Sequence, residues 1–280
     1  MKIRLPLLLL GLLPLAATAE PLVMPAWRSL TLELPPAFVV KAELERTEPS
    51  AAPLVTRPRA LAPRTPRLLH LKVTSHLKWF LTTKSWLGDL WLQPDGVALQ
   101  RNRLKSGKRP NLKIYRYAED GVYRLRHRPD ERNDSPPGRW PLESERFYPY
   151  PRAVRQRCPI IGDPYVLLIL LSQDKVPGEP LCLFNKRTVY QVTLERKGKR
   201  SISVAYRLDD DTVQTRLEAE RWLIRPVPLE PERSPEPFEF LGMEGTIEVL
   251  RDPATHLPVQ FQGRVENFPR ARLSLTRVRH

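Results

Sequence analysis

Apolar and polar residues alternate in short runs from residue 67 to the end of the chain, and turn-forming residues separate the runs. A period of two is typical of strands that bury one face, so the pattern predicts an antiparallel sheet of about ten strands. Turns are predicted at Asp95-Gly96, Asp120-Gly121, Lys197-Gly198-Lys199 and Asp252-Pro253. The predicted strands cover residues 68–79, 86–93, 96–104, 111–118, 122–128, 181–194, 200–208, 212–224, 244–251, 258–265 and 270–278.

One segment departs from this alternation. Asp163 and Pro164 suit the N-cap and the first position of a helix, and residues 165–171 are apolar on every side. Because a helix without a polar face must be buried, we expect a helix over residues 163–174, with Leu168 near its centre, on the concave side of the sheet. It should border the largest apolar cavity. The predicted fold class is mainly β: a curved antiparallel sheet, or half-open barrel, with one buried apolar helix in its concavity.

The first 19 residues have the three parts of a secretory signal. Two cations precede an apolar stretch, and Ala17-Thr18-Ala19 supplies the small residues that signal peptidase requires. A membrane anchor is the alternative, but Pro6 and Pro14 interrupt a stretch that is near the shortest length for a span. Cleavage near residue 19, with no cysteine at the cut, predicts an exported periplasmic protein without a transmembrane anchor.

Residues 20–66 contain nine prolines. Proline removes backbone donors and favours extended chain, so we expect a largely extended leader here, through which a protein partner could dock. Residues 30–40 are apolar enough to add an edge strand. A half-barrel-like domain should follow over residues 67–280.

Cys158 and Cys182 are the only cysteines. In an oxidising compartment two cysteines are expected to form one disulfide bond, and two separate buried thiols are the alternative. The spacing does not fit a catalytic CxxC pair.

The chain is strongly basic. Without residues 1–19, 44 Lys and Arg residues face 31 Asp and Glu residues, a net charge of +13. Such a field attracts anionic lipid, acidic wall polymer or nucleic acid, and export from the cytoplasm argues against nucleic acid. An arginine content inherited from genome composition would produce the same charge. The charge therefore indicates a class of partner and not a ligand.

The hairpin around Asp120-Gly121 concentrates this charge. A two-residue turn there would place two tyrosines of strand 111–118 on one face with three arginines of strand 122–128, leaving the face with Ile114 and Leu125 toward the core. A cationic face with tyrosines suits a phosphorylated lipid or an acidic sugar, and an ordinary solvated sheet face is the alternative. The candidate ligand-binding residues are Tyr115, Tyr117, Arg124, Arg126, Arg128 and, in the helix, Leu168.

No motif for catalysis or metal binding stands out. The chain lacks GxSxG, and His70 and His76 lie about 20 Å apart along one strand, too far for one metal ion. Asp209-Asp210-Asp211 lacks the glycine and glutamate of a calcium loop and should form a hairpin tip. We predict no catalytic residue, no metal and no cofactor. A hydrolase of wall sugars is a third interpretation without positive support.

Several features, in this order, resemble a proteobacterial periplasmic family known as domain of unknown function 3108. They are Gly88 with Asp95-Gly96, the Asp163-Pro164-Tyr165 helix start, Gly178, and the Leu257-Pro258-Val259 strand, and they cover roughly residues 68–279. The resemblance implies a sheet curled around a helix, similar to half-barrels that carry lipoproteins or hydrophobic ligands between membranes. Because fold does not determine function, it supplies no functional residues.

Two hypotheses follow. The first is a soluble periplasmic binding protein that holds a lipid or another amphipathic anionic ligand in an apolar concavity with a basic rim. The second is an envelope interaction protein whose basic surface and leader dock an acidic wall polymer or a partner protein.

Overall fold

A computed structural model describes residues 21–79, 82–107, 109–130, 135–230, 236–265 and 268–280. The signal segment lies outside the described residues. Within these residues, two short α-helices, α1 (Arg152–Arg157) and α2 (Val166–Leu170), accompany fifteen strands. The strands are β1 (Ser29–Leu34), β2 (Phe38–Thr47), β3 (Leu68–Trp79), β4 (Thr82–Leu92), β5 (Ala98–Ser106), β6 (Asn111–Ala118), β7 (Gly121–His127), β8 (Leu142–Pro149), β9 (Leu181–Asn185), β10 (Thr188–Leu208), β11 (Asp211–Pro228), β12 (Glu239–Phe240), β13 (Met243–Arg251), β14 (Pro258–Val265) and β15 (Phe268–Arg279).

All fifteen strands belong to one sheet that curves into a ring, in the order β8-β7-β6-β5-β4-β3-β2-β1-β15-β14-β13-β11-β10-β9, with β12 beside β13. Neighbours are antiparallel, apart from a short parallel contact between the tip of β10 and the end of β15. The two ends of the sheet come close together, since the ring of Phe184 in β9 lies 5.9 Å from that of Tyr148 in β8. The predicted curved antiparallel sheet is confirmed.

The apolar segment lies inside the ring, as predicted. Every residue of α2 is buried and belongs to the main hydrophobic core. The α-helix is shorter than the predicted 163–174, because i→i−3 hydrogen bonds replace α-helical ones on both sides: Val166 N–H donates to the Asp163 carbonyl, and Ser172 N–H to the Ile169 carbonyl. No helix of the described residues is long and apolar enough to cross a membrane.

The proline-rich segment is built into the sheet. The prediction of an edge strand is wrong, because β1 lies between β2 and the last strand, β15, with Ser29 opposite Arg279. Residues 52–64 then cross the outer face of β5 and β6. There the buried Arg116 guanidinium donates to the carbonyls of Val55 and Leu61, and burial lowers the pKa of Arg116 to about 10. The structure therefore does not separate a leader from a domain at residue 67.

The β10–β11 hairpin is longer than predicted. Lys197-Gly198-Lys199 is a bulge within β10 and not a turn, because Gly198 takes a positive φ of 90° that lets the register shift without reversing the chain. The hairpin reverses at Asp209-Asp210, as predicted.

Candidate functional site

A buried carboxylate fixes the start of the helical segment against the inner face of the sheet. Asp163 is fully buried; its Oδ2 accepts a hydrogen bond of 2.7 Å from the Tyr117 hydroxyl and lies 3.0 Å from a guanidinium nitrogen of Arg101. Burial alone would lower the pKa of Arg101, but the Asp163 charge raises it, so the net direction is upward. These two partners tie the start of α2 to β5 and β6.

Tyrosine rings enclose the Arg101 guanidinium. Its central carbon lies 4.7 Å from the centroid of the Tyr115 ring and 5.7 Å from that of Tyr165, at cation–π distance. Gly88 makes room for this arrangement, since a Cβ there would lie 2.7 Å from the Tyr165 ring. Tyr115 and Tyr117 are both buried, so neither presents a surface to solvent.

The β6–β7 register differs from the predicted one by two residues. The turn is Glu119-Asp120, and Gly121 pairs with Ala118 inside the ladder. Gly121 is needed in the strand because a Cβ there would lie 2.4 Å from the Tyr148 carbonyl oxygen. A shift of two residues preserves the side of the sheet, so the predicted grouping of tyrosines and arginines on one face holds, with Tyr115 opposite Arg124.

This face is the inner one, and the expectation of an exposed binding face is wrong for the tyrosines. The opposite face was expected to be the core side, and it is buried as well: Ile114 and Leu125 are covered. The reason is that residues 52–64 pack across the outer surface, which gives this part of the sheet two buried faces.

Four cations gather on the inner face where β5, β6 and β7 approach one mouth of the ring. Arg103, Lys113 and Arg126 lie directly opposite one another on the three strands, and Arg124 lies diagonally from Lys113. We call these four residues the cationic row. Directly opposed Cα atoms in such a ladder are about 4.5–5.5 Å apart, so like charges here repel one another.

Lys113 is at the centre of the row. Burial, followed by the charges of Arg103, Arg124 and Arg126, lowers the pKa of Lys113 to about 8. Its ammonium group is therefore charged at neutral pH but less stable than that of an ordinary lysine.

Carboxylates compensate only part of this charge. Arg103 pairs with Glu239 at 3.0 Å, and Glu143 is shared by Arg126 at 2.8 Å and Arg128 at 2.9 Å. Among the described residues, no ion pair involves Lys113 or Arg124. Instead, the Arg124 guanidinium lies 5.6 Å from the centroid of the Tyr148 ring. The row therefore keeps an excess of positive charge.

A small cleft adjoins the row, and we call it the notch. Its volume is about 130 Å³, and Arg103 lines both the notch and the row. Trp86, Tyr165 and Leu77 provide aromatic and apolar surface there. Pockets for drug-sized ligands measure about 300–1,000 Å³, so the notch holds only a small group.

The expectation that the helix borders the largest apolar cavity is wrong. Leu168 is fully buried and lines none of four clefts on the described residues. The widest of these clefts, of about 880 Å³, is open and lies at the other end of the ring beside His70 and Arg279. The concavity is filled because α2 and its flanking turns occupy it. Leu168 is thus placed in the core and not at the row.

Sequence reasoning missed Arg101, Arg103 and Glu239. The alternation of Arg101 and Arg103 in β5 was a usable signal, because residues two apart in a strand share a face with their opposite partners in β6. Glu239 lies in the short strand β12, after a proline-rich stretch of sequence, and had no such pattern. No group of three His, Cys, Asp or Glu residues within the described ranges is arranged to hold a metal ion.

Comparisons with protein-family models, with curated proteins and with solved structures found no match for this chain. The resemblance to the periplasmic family therefore stays a prediction.

Proposed function

We propose that the protein is an exported binding protein that holds the anionic group of an amphipathic ligand, such as a lipid, on the cationic row. One observation carries the proposal: Arg103, Lys113 and Arg126 face the inside of the ring in direct register. Like charges directly opposite one another destabilise a sheet, and partial burial adds to the cost. A bound anion would offset both the repulsion between the cations and the cost of burying them. Features that lower stability without a structural benefit are typical of binding sites.

The notch supports an amphipathic ligand. It places apolar and aromatic side chains, among them Trp86 and Tyr165, beside the charges. Because α2 is buried in the core of the described residues, we expect no enclosed path for a long acyl chain past the row. We propose that the anionic head binds inside the mouth, while any long chain stays outside it.

We propose the periplasm as the location. The Cys158–Cys182 disulfide supports an oxidising compartment, since such bonds are rare in the cytosol. The mature chain should begin near Glu20 and occur in the soluble periplasmic fraction, and N-terminal sequencing of protein from that fraction tests this. A sequence starting at Met1, or protein found only in membrane pellets, would contradict export with cleavage.

The test of binding compares two variants of equal charge. Arg124→Gln with Arg126→Gln removes two cations from the row, and Arg270→Gln with Arg272→Gln removes two exposed cations from β15. Each protein is purified from its own host and its bound molecules are identified by native mass spectrometry and solvent extraction. The wild type and the β15 variant should carry an anionic ligand that the row variant lacks. The proposal is wrong if the row variant retains the ligand, or if both variants lose it equally.

A further inference from the structure

We infer that the ligand's anionic group is a phosphate monoester, with Lys113 as its central contact. This inference rests on the proposed function, because it specifies the chemistry of the same site. The shared chemistry is a terminal phosphate group. Its source could be inorganic phosphate, a small phosphate ester or the head of a phosphorylated lipid, and the experiment below distinguishes them.

The number and arrangement of donors favour a tetrahedral group. Lys113 offers a point charge between two guanidinium groups, those of Arg103 and Arg126, on the neighbouring strands. A phosphate monoester presents three terminal oxygens, one for each of the three cationic side chains in register, whereas a carboxylate presents two. Three strands in register therefore fit a phosphate better than a planar carboxylate.

The charge balance also favours a dianion. Arg103 already forms an ion pair with Glu239, and Arg126 forms one with Glu143. Among the ion pairs of the described residues, none involves the other two members of the row, Lys113 and Arg124. Two cations that form no ion pair within the described residues match a phosphate monoester, which carries close to two negative charges well above its second pKa of about 6.

The groups around Lys113 predict that binding takes up protons. Arg103 faces it from β5, Arg124 and Arg126 face it from β7, and Glu236 faces it from the segment before β12 with an attractive charge. Burial and the three guanidinium groups lower the pKa of Lys113 to about 8. A bound dianion must raise this pKa, so the complex holds more protons than the free protein near pH 8. Phosphate affinity should therefore fall as the pH rises from 8 toward 10.

The notch limits what is attached to the phosphate. With about 130 Å³ of space between Trp86, Tyr165 and Leu77, it accommodates one ring or a short chain beside Arg103. Phenyl phosphate combines a dianion with one ring, and benzoate offers the same ring with a carboxylate.

The test is isothermal titration calorimetry of the full mature chain at pH 8 with inorganic phosphate, phenyl phosphate and benzoate. Each titration is repeated in two buffers of different ionisation enthalpy, which measures proton uptake. Phenyl phosphate should bind at least about tenfold more tightly than benzoate, the ratio expected from about 1.4 kcal/mol. Binding should be accompanied by net proton uptake. Cosedimentation with vesicles containing phosphatidic acid then shows whether a lipid head also reaches the row; retention there assigns a lipid source, and its absence assigns a soluble one.

Two variants of Lys113 decide its role. Lys113→Arg keeps a charge that does not titrate, so phenyl phosphate should still bind but without proton uptake. Lys113→Met should weaken binding at least about tenfold while leaving the far-ultraviolet spectrum unchanged. If Lys113→Met does not fold, the loss of proton uptake in Lys113→Arg still shows whether Lys113 binds the phosphate.

The inference is overturned if benzoate binds as tightly as phenyl phosphate, if no phosphate probe binds, or if Lys113→Arg takes up as many protons as the wild type. None of these outcomes removes the proposed function, which fails only if the row variant of Arg124 and Arg126 keeps the ligand found in the purified wild type.

Discussion

Cys158 is bonded to Cys182, and this bond joins the two ends of the sheet. Cys158 follows β8 and α1 at one end, and Cys182 lies in β9 at the other. Next to the bond, Gly162 N–H donates to the Cys182 carbonyl and Phe184 N–H to the Gly162 carbonyl, so the segment after Cys158 covers the free edge of β9. The ring is thus closed by a covalent bond and a short bridge, without a ladder between β8 and β9.

Loss of this bond should destabilise the protein while leaving its strands in place. Replacing Cys182 with Ser should lower the free energy of unfolding by about 3–4 kcal/mol, the loop-entropy value for a loop of this length. Urea denaturation followed by circular dichroism measures the change. Thiol titration of the unreduced, denatured wild type should find no free thiol. Two free thiols would show that the bond does not form.

The carboxylate of Asp163 should be essential for stability. Asp163→Asn leaves the Arg101 guanidinium buried without its counter-charge, so we expect a loss of about 3–5 kcal/mol. Tyr117→Phe removes one hydrogen bond to Asp163 and should cost about 1–3 kcal/mol. Tyr165→Phe is the control, because it is Tyr165 N–H, and not the hydroxyl, that donates to Asp163. If Tyr165→Phe costs as much as Tyr117→Phe, the hydrogen bond is not the cause.

The stability of the protein should also depend strongly on the packing of α2. Leu168→Ala creates a cavity in the filled concavity and should cost about 2–5 kcal/mol, whereas Val23→Ala, at a position 68% exposed, should change little. Chemical denaturation compares the two. A smaller loss for Leu168→Ala, together with altered ligand retention, would indicate that α2 moves as a lid.

The cationic row should reduce the stability of the unliganded protein. Lys113 has a native pKa of about 8 against the ordinary lysine value of 10.5, so between these values the unfolded chain binds more protons than the native one. The contribution of Lys113 to the free energy of unfolding therefore rises with pH across this window. Lys113→Met should be more stable than the wild type by about 0.5–2 kcal/mol at pH 7, and the difference should shrink toward pH 10.

Thermal unfolding of the wild type, Lys113→Met and the exposed control Lys199→Met at pH 7 and pH 10 measures this effect. The difference in stability between the Lys199→Met control and the wild type should be the same at pH 7 and pH 10. A Lys113→Met variant less stable than the wild type at both pH values would mean that Lys113 serves the fold and not a ligand.

The sequence predicted those parts of the fold that depend on local alternation. The bounds of β3, β6 and β14 agree with the predicted strands, because apolar and polar residues alternate along each of them. Strand β8 was missed because it has no apolar run, and polar and aromatic residues occur on both of its faces. The position of β1 was missed because its pairing with β15 joins opposite ends of the chain, which no local pattern encodes.

The site could be predicted only in part. Parity along β6 and β7 was enough to group Tyr115 and Tyr117 with Arg124 and Arg126, since a register shift of two residues leaves each face unchanged. Which face lies inside was not predictable, because both are buried. The outer face is the one that residues 52–64 cover. The prolines of this segment indicated a solvated chain, but its carbonyls accept hydrogen bonds from Arg116.

The most direct test of the account is a crystal structure of the mature protein with phenyl phosphate. One bound phosphate should contact Lys113 and at least one of Arg103, Arg124 and Arg126, with the phenyl ring in the notch beside Trp86. Phenyl phosphate bound elsewhere, or an empty row in crystals grown at a concentration that saturates binding in solution, would contradict it.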